Sequence, residues 1–285
     1  MKRNVILITG GSGQLGRSLM TVLTASGHEV VAPSHAEMDV TDGTVASVCI
    51  EGIRPQVVIH CAAYNNVDAA ETEKACCFSV NAQGTENVAR ACASVGSRMI
   101  FISTDYVFDG RKKGPYLPWD DRAPLSVYGR SKMQGEDFTL QASNRNAVVR
   151  TSWLFGPSRN NFVQAILRAV ERNTELRVVC DQFGSPTYSE DLAHLLEAFI
   201  RTDASGIFHG VNAGVCSRAD YAREILRLAG KKCTVCDVAT ASYPSAAVRP
   251  LNSELSTACL SEIGLAQLPP WQDALQRYID SEINT

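Results

Sequence analysis

Val5-Ile6-Leu7-Ile8-Thr9-Gly10-Gly11-Ser12-Gly13-Gln14-Leu15-Gly16 is the stretch on which the reading of this chain turns. An unbroken apolar run from Val5 suits a strand buried on both faces. Gly10, Gly13 and Gly16 fit G-x-x-G-x-x-G, and Gly11, Gly13 and Gly16 also fit G-x-G-x-x-G. Glycines between a strand and a helix allow a tight turn, close approach of backbone to a pyrophosphate, and close helix–strand packing. The helix that follows, expected over 13–26, offers free N–H groups and a partial positive charge to phosphates. A bare structural turn is the competing reading. The position, strand before and helix after, points instead to a dinucleotide site made by Gly10, Gly13, Gln14, Leu15 and Gly16.

Outward from this turn the first half alternates short apolar runs with amphipathic stretches. Strands are expected at 5–9, 29–32, 57–61, 99–103 and 147–150, with helices at 13–26, 45–52, 69–95 and 128–141. Such βαβα alternation predicts an α/β fold, a doubly wound parallel sheet of Rossmann type with right-handed crossovers. The second half is less regular. Helices at 161–173, 191–201 and 217–230 and strands at 176–180, 206–211 and 233–238 predict a smaller mixed α/β domain. We therefore expect a dinucleotide-binding domain over 1–150. A mainly substrate-binding domain over 151–285 follows, part of it returning to the first. The Pro-, Gly- and charge-rich segment 110–124 is expected to be an exposed excursion near the mouth of a site, and 243–250 a loop.

Composition removes several classes of function. The chain has 285 residues, 45% hydrophobic and 20% charged, which suits a globular protein with a full core and excludes a disordered or collagen-like one. A net charge of -3, with no long Lys/Arg block, argues against a nucleic-acid or anionic-membrane surface. No apolar run approaches the roughly 18 residues of a spanning helix. Met1-Lys2-Arg3 imitates the start of a signal peptide, but the run Val5–Ile8 is too short and meets glycines at once. Ten scattered cysteines read as thiols in a reducing cytoplasm. The C-x-x-C of Cys233 and Cys236 lacks a second ligand pair, so no metal site is expected.

The acid that would hold an adenosine ribose 2′-hydroxyl belongs about 20 residues after the glycines, at the end of the second strand. Pro33-Ser34-His35 stands there, without a carboxylate. Nothing would then repel a 2′-phosphate, so NADP(H) is favoured and NAD(H) left open. Asp39, with Val40, follows closely enough to reach an adenine amino group; capping of the next segment is the alternative role for Asp39. Tyr128 and Lys132 form Y-x-x-x-K, spaced i, i+4 and hence on one helix face. A phenol is a poor acid–base at neutral pH, and a neighbouring ammonium would stabilise its phenolate. Thr104 ends the fourth strand, where ligands of open parallel sheets bind. Its hydroxyl suits a carbonyl or alcohol oxygen, although a turn hydroxyl is the plain alternative. Thr104, Tyr128 and Lys132 together make an acid–base relay facing a nicotinamide.

These residues resemble the short-chain dehydrogenase/reductase pattern in its extended, nucleotide-sugar form, and narrower strings resemble the dTDP-4-dehydrorhamnose reductase family over nearly the whole chain. The segments are Gly10–Gly16; Cys61-Ala62-Ala63-Tyr64 with Val67-Asp68 and Glu71; Ser103–Gly110; and Tyr128–Glu136. Further along come Arg150-Thr151-Ser152-Trp153, Asn161-Phe162, Asp181-Gln182 with Gly184 and Pro186-Thr187, and Arg249-Pro250. The resemblance implies hydride transfer from NADPH or NADH to C4 of a dTDP-linked 4-keto-L-hexose, giving dTDP-L-rhamnose. It implies that Tyr128 protonates the alkoxide, Lys132 lowers the Tyr128 pKa and holds the ribose, and Thr104 bonds the C4 oxygen. Asp105 and Tyr106 would line the same site and Trp153 would pack beside the sugar. Arg249 would meet the diphosphate, with a surface ion pair as the other reading. Ala62, Ala63 and Tyr64 would border the cofactor. Some family members pair through Mg2+ held by glutamates. Here Ser18 replaces one of them and only Glu190 matches, a thin site for a hard cation, so Mg2+ stays open and either a monomer or a homodimer is expected. Three alternatives remain. One is a reductase of another 4-keto nucleotide sugar. Another is a nucleotide-sugar dehydratase or epimerase, though Tyr106 stands where a dehydratase needs a second acid. The last is a non-catalytic dinucleotide-binding subunit of the methionine adenosyltransferase β type.

Overall fold

A computed structural model describes residues 4–158 and 161–282; Met1-Lys2-Arg3 lie outside the described residues. The apolar run becomes β1 (Val5–Thr9), with Ile6, Leu7 and Ile8 fully buried, as a strand covered on both faces requires. After it come α1 (Gln14–Ala25), β2 (Glu29–Val31), α2 (Gly43–Ile53) and β3 (Val57–His60). Next are α3 (Lys74–Phe78), α4 (Gly84–Val95), β4 (Arg98–Thr104), α5 (Val127–Ala142) and β5 (Ala147–Thr151). The second half runs β6 (Leu154–Phe155), α6 (Phe162–Val170), β7 (Glu175–Val179), β8 (Phe183–Gly184), β9 (Thr187–Tyr188), α7 (Ser189–Ile200) and β10 (Gly206–His209). It continues β11 (Asn212–Ala213), β12 (Cys216–Ser217), α8 (Arg218–Leu228), β13 (Thr234–Val238), β14 (Asn252–Ser253), α9 (Cys259–Glu262), β15 (Leu268–Pro270) and α10 (Trp271–Glu282).

The main sheet has six parallel strands in the order β10-β5-β4-β3-β1-β2. Strand order reverses at β1, so the crevice beyond the carboxyl ends of β1 and β3 is where such a sheet takes a ligand. α1 and α7 pack together over one face, around Leu15, Leu19, Leu192 and Leu196. α2 and α4 cover the other, around Ile50, Val88 and Met99. α7 and β10 come from the second half of the chain, which therefore completes the first half's sheet. A separate core gathers Phe155 of β6 with Ile166, Tyr221, Leu275 and Tyr278 from α6, α8 and α10, with β7 and β13 paired in parallel beside it.

Three local expectations are corrected. The single helix over 69–95 is broken into a 3-10 turn (Ala69–Glu71), α3, a π-helical segment (Ser79–Gln83) and α4. The break is occupied by fully buried Asn81. Its amide oxygen accepts from Tyr64 N (2.8 Å), and its amide nitrogen donates to Tyr64 O (2.9 Å) and Ser131 Oγ (3.0 Å). Second, segment 110–124 is no free excursion. Tyr116 is buried, Tyr116 N donates to Glu254 O (2.8 Å), and Pro118 O accepts from Arg150 (3.0 Å). Third, the last helix, α10, was not anticipated, although Trp271, Ala274, Leu275, Tyr278 and Ile279 carry a helical apolar spacing on its buried side.

Candidate active site

The glycine turn is built for close approach. A Cβ on Gly10 would sit 2.8 Å from Ala62 N, and one on Gly16 would sit 2.4 Å from Gly10 O. Gly10 also has φ +68°, which glycine adopts without strain. Gly13 stands at the N-cap of α1 and offers no side chain to cap it, which leaves first-turn N–H groups for an anionic ligand. These features fit a dinucleotide pyrophosphate. Gln14 reaches away from the turn: its amide donates to Leu154 O (3.1 Å) and accepts from Asn161 (3.1 Å), tying the turn to the second half. Leu15 is buried core. Ala62 N receives Thr9 Oγ1 as acceptor (3.1 Å), Ala63 is partly exposed beside it, and Tyr64 is clamped by Asn81.

Around the expected ribose the picture shifts. Asp39 Oδ1 accepts from Thr41 N (2.9 Å) and Thr41 Oγ1 (2.8 Å), bonds that hold its carboxyl below the usual range, while Val40 is buried. Counting residues found no carboxylate at Ser34. Folding brings one there, because Glu37 turns back so that its Oε2 accepts from both Ser34 N and Ser34 Oγ (2.8 Å each).

Thr104, Tyr128 and Lys132 come together at the carboxyl end of β4. Ser126 caps α5 by accepting from Gly129 N (3.1 Å), and Glu71 Oε1 accepts from Val127 N (2.7 Å), so the helix start bearing Tyr128 is fixed twice. The Tyr128 phenol lies close to the Thr104 hydroxyl. Thr104 Oγ1 in turn donates to Asp105 Oδ1 (3.0 Å) and accepts from Tyr106 N (3.2 Å). Lys132 is buried and donates to Ile102 O (2.6 Å), with Nζ 4.0 Å from the Phe101 ring centroid. Burial pulls its ammonium down to about 7, against opposing pulls from Cys61, Glu136 and Cys77. The expected lowering of the Tyr128 pKa by Lys132 is not what this geometry gives. Burial drives the phenol upward, and the Asp105 carboxyl adds to the rise. Asp105 is itself pushed up by burial, and its Oδ2 has no hydrogen-bond partner among the described residues.

Beside this cluster a cavity of about 930 Å³ opens in the second half, lined by Tyr106, Arg168, Arg177, Gln182, Arg218 and Arg249 among others. Thr104, Tyr128 and Trp153 are not among its lining residues. Tyr106 connects the two regions, with its ring edge-on to Tyr128 at 5.6 Å. Trp153 takes φ +46°, rare for a bulky residue. Its ring lies so close to Gly184 that a Cβ there would meet it at 2.6 Å, and the Arg218 guanidinium stacks on it at 3.5 Å. Arg249 makes a two-pronged pair with Asp68 (2.6 and 3.2 Å), close to Tyr106. Arg218 was missed in the sequence. It has no described carboxylate within ion-pair distance, and Tyr106 and Asp105 act on it through space. Only its place at the Ser217-capped start of α8 marked it beforehand.

Ser18 Oγ is buried against Ser189 Oγ (2.8 Å), and among the described residues no three His, Cys, Asp or Glu side chains gather as metal ligands.

A glycine turn at the switch point of a doubly wound sheet, with Tyr and Lys one helical turn apart facing a strand-end Thr, is the arrangement of an extended short-chain dehydrogenase/reductase. Comparison narrows the class. Residues 3–283 match the RmlD substrate binding domain family. The dTDP-4-dehydrorhamnose reductase of Aggregatibacter actinomycetemcomitans is 39% identical, over 95% of this chain and 97% of that one. Its Mycobacterium tuberculosis (strain H37Rv) counterpart is 40% identical, over 98% and 94%. The crystal structure of the Bacillus anthracis dTDP-4-dehydrorhamnose reductase in complex with NADP superposes with a TM-score of 0.95 at 37% identity, over 98% of this chain and 99% of that one. The chain belongs to the dTDP-4-dehydrorhamnose reductase family.

Proposed function

We propose that this protein reduces the C4 keto group of dTDP-4-dehydro-L-rhamnose to the alcohol of dTDP-L-rhamnose, using NADPH in preference to NADH. The observation that carries the reading is the convergence of Tyr128, Thr104 and Lys132 at the end of β4, beside an arginine-lined cavity large enough for a nucleotide sugar. A reduced nicotinamide, when bound, would supply the hydride for C4. Tyr128 donates its phenolic proton to O4 as the C=O bond becomes C–O. Burial that raises the phenol's pKa keeps this acid protonated at neutral pH until the oxyanion forms. Thr104 bonds the same oxygen. Lys132, close to neutrality when free, gains a proton beside the anionic cofactor, holds the ribose hydroxyls and offsets the phenolate. The phenolate then recovers its proton from water.

The glycine turn, with Ala62, Ala63 and Tyr64, borders the cofactor, and Asp39 reaches toward the adenine. Arg218 is the first anchor for the diphosphate, because its guanidinium sits over the Trp153 ring and meets no carboxylate at ion-pair distance among the described residues. Arg249 stands next to it, with one face committed to Asp68. Trp153, Asp105 and Tyr106 flank the deoxysugar. The ten cysteines are free thiols, and no helix among the described residues is long and apolar enough to cross a membrane, which supports a cytoplasmic placement.

The test is to incubate the purified chain with NADPH and dTDP-4-keto-sugar made by upstream enzymes. Absorbance at 340 nm is followed and the product identified. Loss of NADPH with formation of dTDP-L-rhamnose is expected. A different reduced sugar would name a related reductase, and tight NADPH binding without turnover would leave a regulatory dinucleotide binder.

A further inference from the structure

Behind the proposed acid–base trio lies a buried ionic cluster that the reaction itself does not use. On α5, Tyr128, Lys132 and Glu136 follow at i, i+4 and i+8, one stripe directed at β4. Glu136 is fully buried. Its Oε1 accepts from Ser103 Oγ (2.6 Å) and Arg150 Nε (2.8 Å), and its Oε2 accepts from Arg150 (2.7 Å) and Arg122 (3.1 Å). Ser103 is the residue before Thr104. Arg150, on β5 directly beside Ser103 in the sheet, is also buried, stands 4.9 Å from the Phe108 ring and donates to Pro118 O (3.0 Å). Arg122 bonds Met133 O (3.2 Å) and Asp137 (2.7 Å) as well. One carboxylate thus joins the helix carrying Tyr128 and Lys132, the strand end carrying Thr104, the neighbouring strand, and segment 110–124.

Stability alone is a weak reason for such a cluster, since well-packed apolar side chains of the same volume usually serve as well or better. What they do not supply is direction: four charge-assisted bonds fix α5 in rotation and height against β4. We propose that Glu136 is a positioning residue for the reduction, setting the register of Thr104 against Tyr128 through Ser103 and holding a negative charge one helical turn from Lys132. This rests on the reading of Thr104, Tyr128 and Lys132 as the reacting set. The other titratable groups acting on Lys132 are Cys61 and His60 from the end of β3 and Cys77 from α3, while β4 presents only the Ile102 carbonyl and the Phe101 ring.

The test uses the full chain with Glu136→Gln and the milder Ser103→Ala. Thermal unfolding and NADPH affinity measure folding. For Glu136→Gln, kcat per folded site should fall roughly 10- to 100-fold with KM nearly unchanged, the usual penalty for a displaced reacting group. The NMR titration of Lys132 in the absence of sugar should move down by about half a unit or more, because an anion that favours the ammonium has gone. Ser103→Ala, which leaves the ion pair intact, should lower kcat about 3- to 10-fold without moving that titration. If Glu136→Gln does not fold, Ser103→Ala and Arg150→Lys carry the kinetic test. Folded variants with kcat within twofold of the parent and an unmoved Lys132 titration would overturn the proposal. An enzyme inactive on every keto sugar, whose Lys132 titration still responds to Glu136→Gln, would instead fault the reaction assigned above.

Discussion

The end of β4 and the cavity beside it spend their polar groups in opposite ways. At the end of β4 polar groups are taken up by the protein itself: Thr104 by Asp105 and the Tyr106 N–H, and Lys132 by the Ile102 carbonyl. The cavity is lined by arginines; Arg249 is paired with Asp68, while Arg218 is held by an aromatic face with no described carboxylate at ion-pair distance. The contrast separates two demands. Proton transfer needs atoms held within tenths of an ångström, which rigid strand and helix ends provide. Recognition of an anionic ligand needs charge left uncompensated until the ligand arrives.

The sharpest way to break this division is Tyr128→Phe. Turnover should fall roughly 10²- to 10⁴-fold while NADPH affinity stays near that of the parent; near-normal turnover would remove Tyr128 from the acid role. Lys132→Met comes next, with kcat and cofactor affinity each down roughly 10- to 100-fold. The parent adds a pH signature. Because burial holds Lys132 near 7 in the free protein and the anionic cofactor raises it, NADPH binding at pH 8 should take up protons. Calorimetry in buffers of different ionisation enthalpy reads this. Uptake that persists in Lys132→Met would place the titrating group elsewhere. On the cavity side, Arg218→Met should raise the KM for the nucleotide sugar roughly 10- to 100-fold with kcat little changed; a fall confined to kcat would put Arg218 with the reacting groups instead. The smallest effect is expected at Glu37→Gln. Removing that carboxylate from Ser34 should raise the NADPH-over-NADH ratio of kcat/KM only about two- to threefold, since the group is exposed and screened.

The two regions also differ in how far the sequence announces them. Tyr128 and Lys132 are legible because helical periodicity alone puts i and i+4 on one face, and Thr104 because it ends an apolar run. Glu136 belongs to the same stripe, yet its partners Arg150, Arg122 and Ser103 are set by strand order and by the course of segment 110–124. Arg218 resembles any arginine at a helix start until α8 is laid beside Trp153. The break at Asn81 is hidden for a related reason. Its driving force is a set of bonds to Tyr64 and Ser131, residues distant in sequence, so local propensity reads straight through it. Glu37 shows the limit of counting along the chain: a turn returns its carboxylate to Ser34, where spacing found none.

Local interactions, then, were enough for the sequence to determine the βαβ turn, the alternation that makes a doubly wound sheet, and the identity of the phenol, amine and hydroxyl. Hydrophobic period, glycine geometry and helical spacing act over a few residues and need no partner. Tertiary structure alone decided the state of those groups and what surrounds them. Burial drives Tyr128 up and Lys132 down, Glu136 is enclosed by two arginines, and Arg218 has no carboxylate at ion-pair distance among the described residues. Charge and desolvation depend on everything packed within several ångströms, and that neighbourhood exists only once the chain has closed on itself.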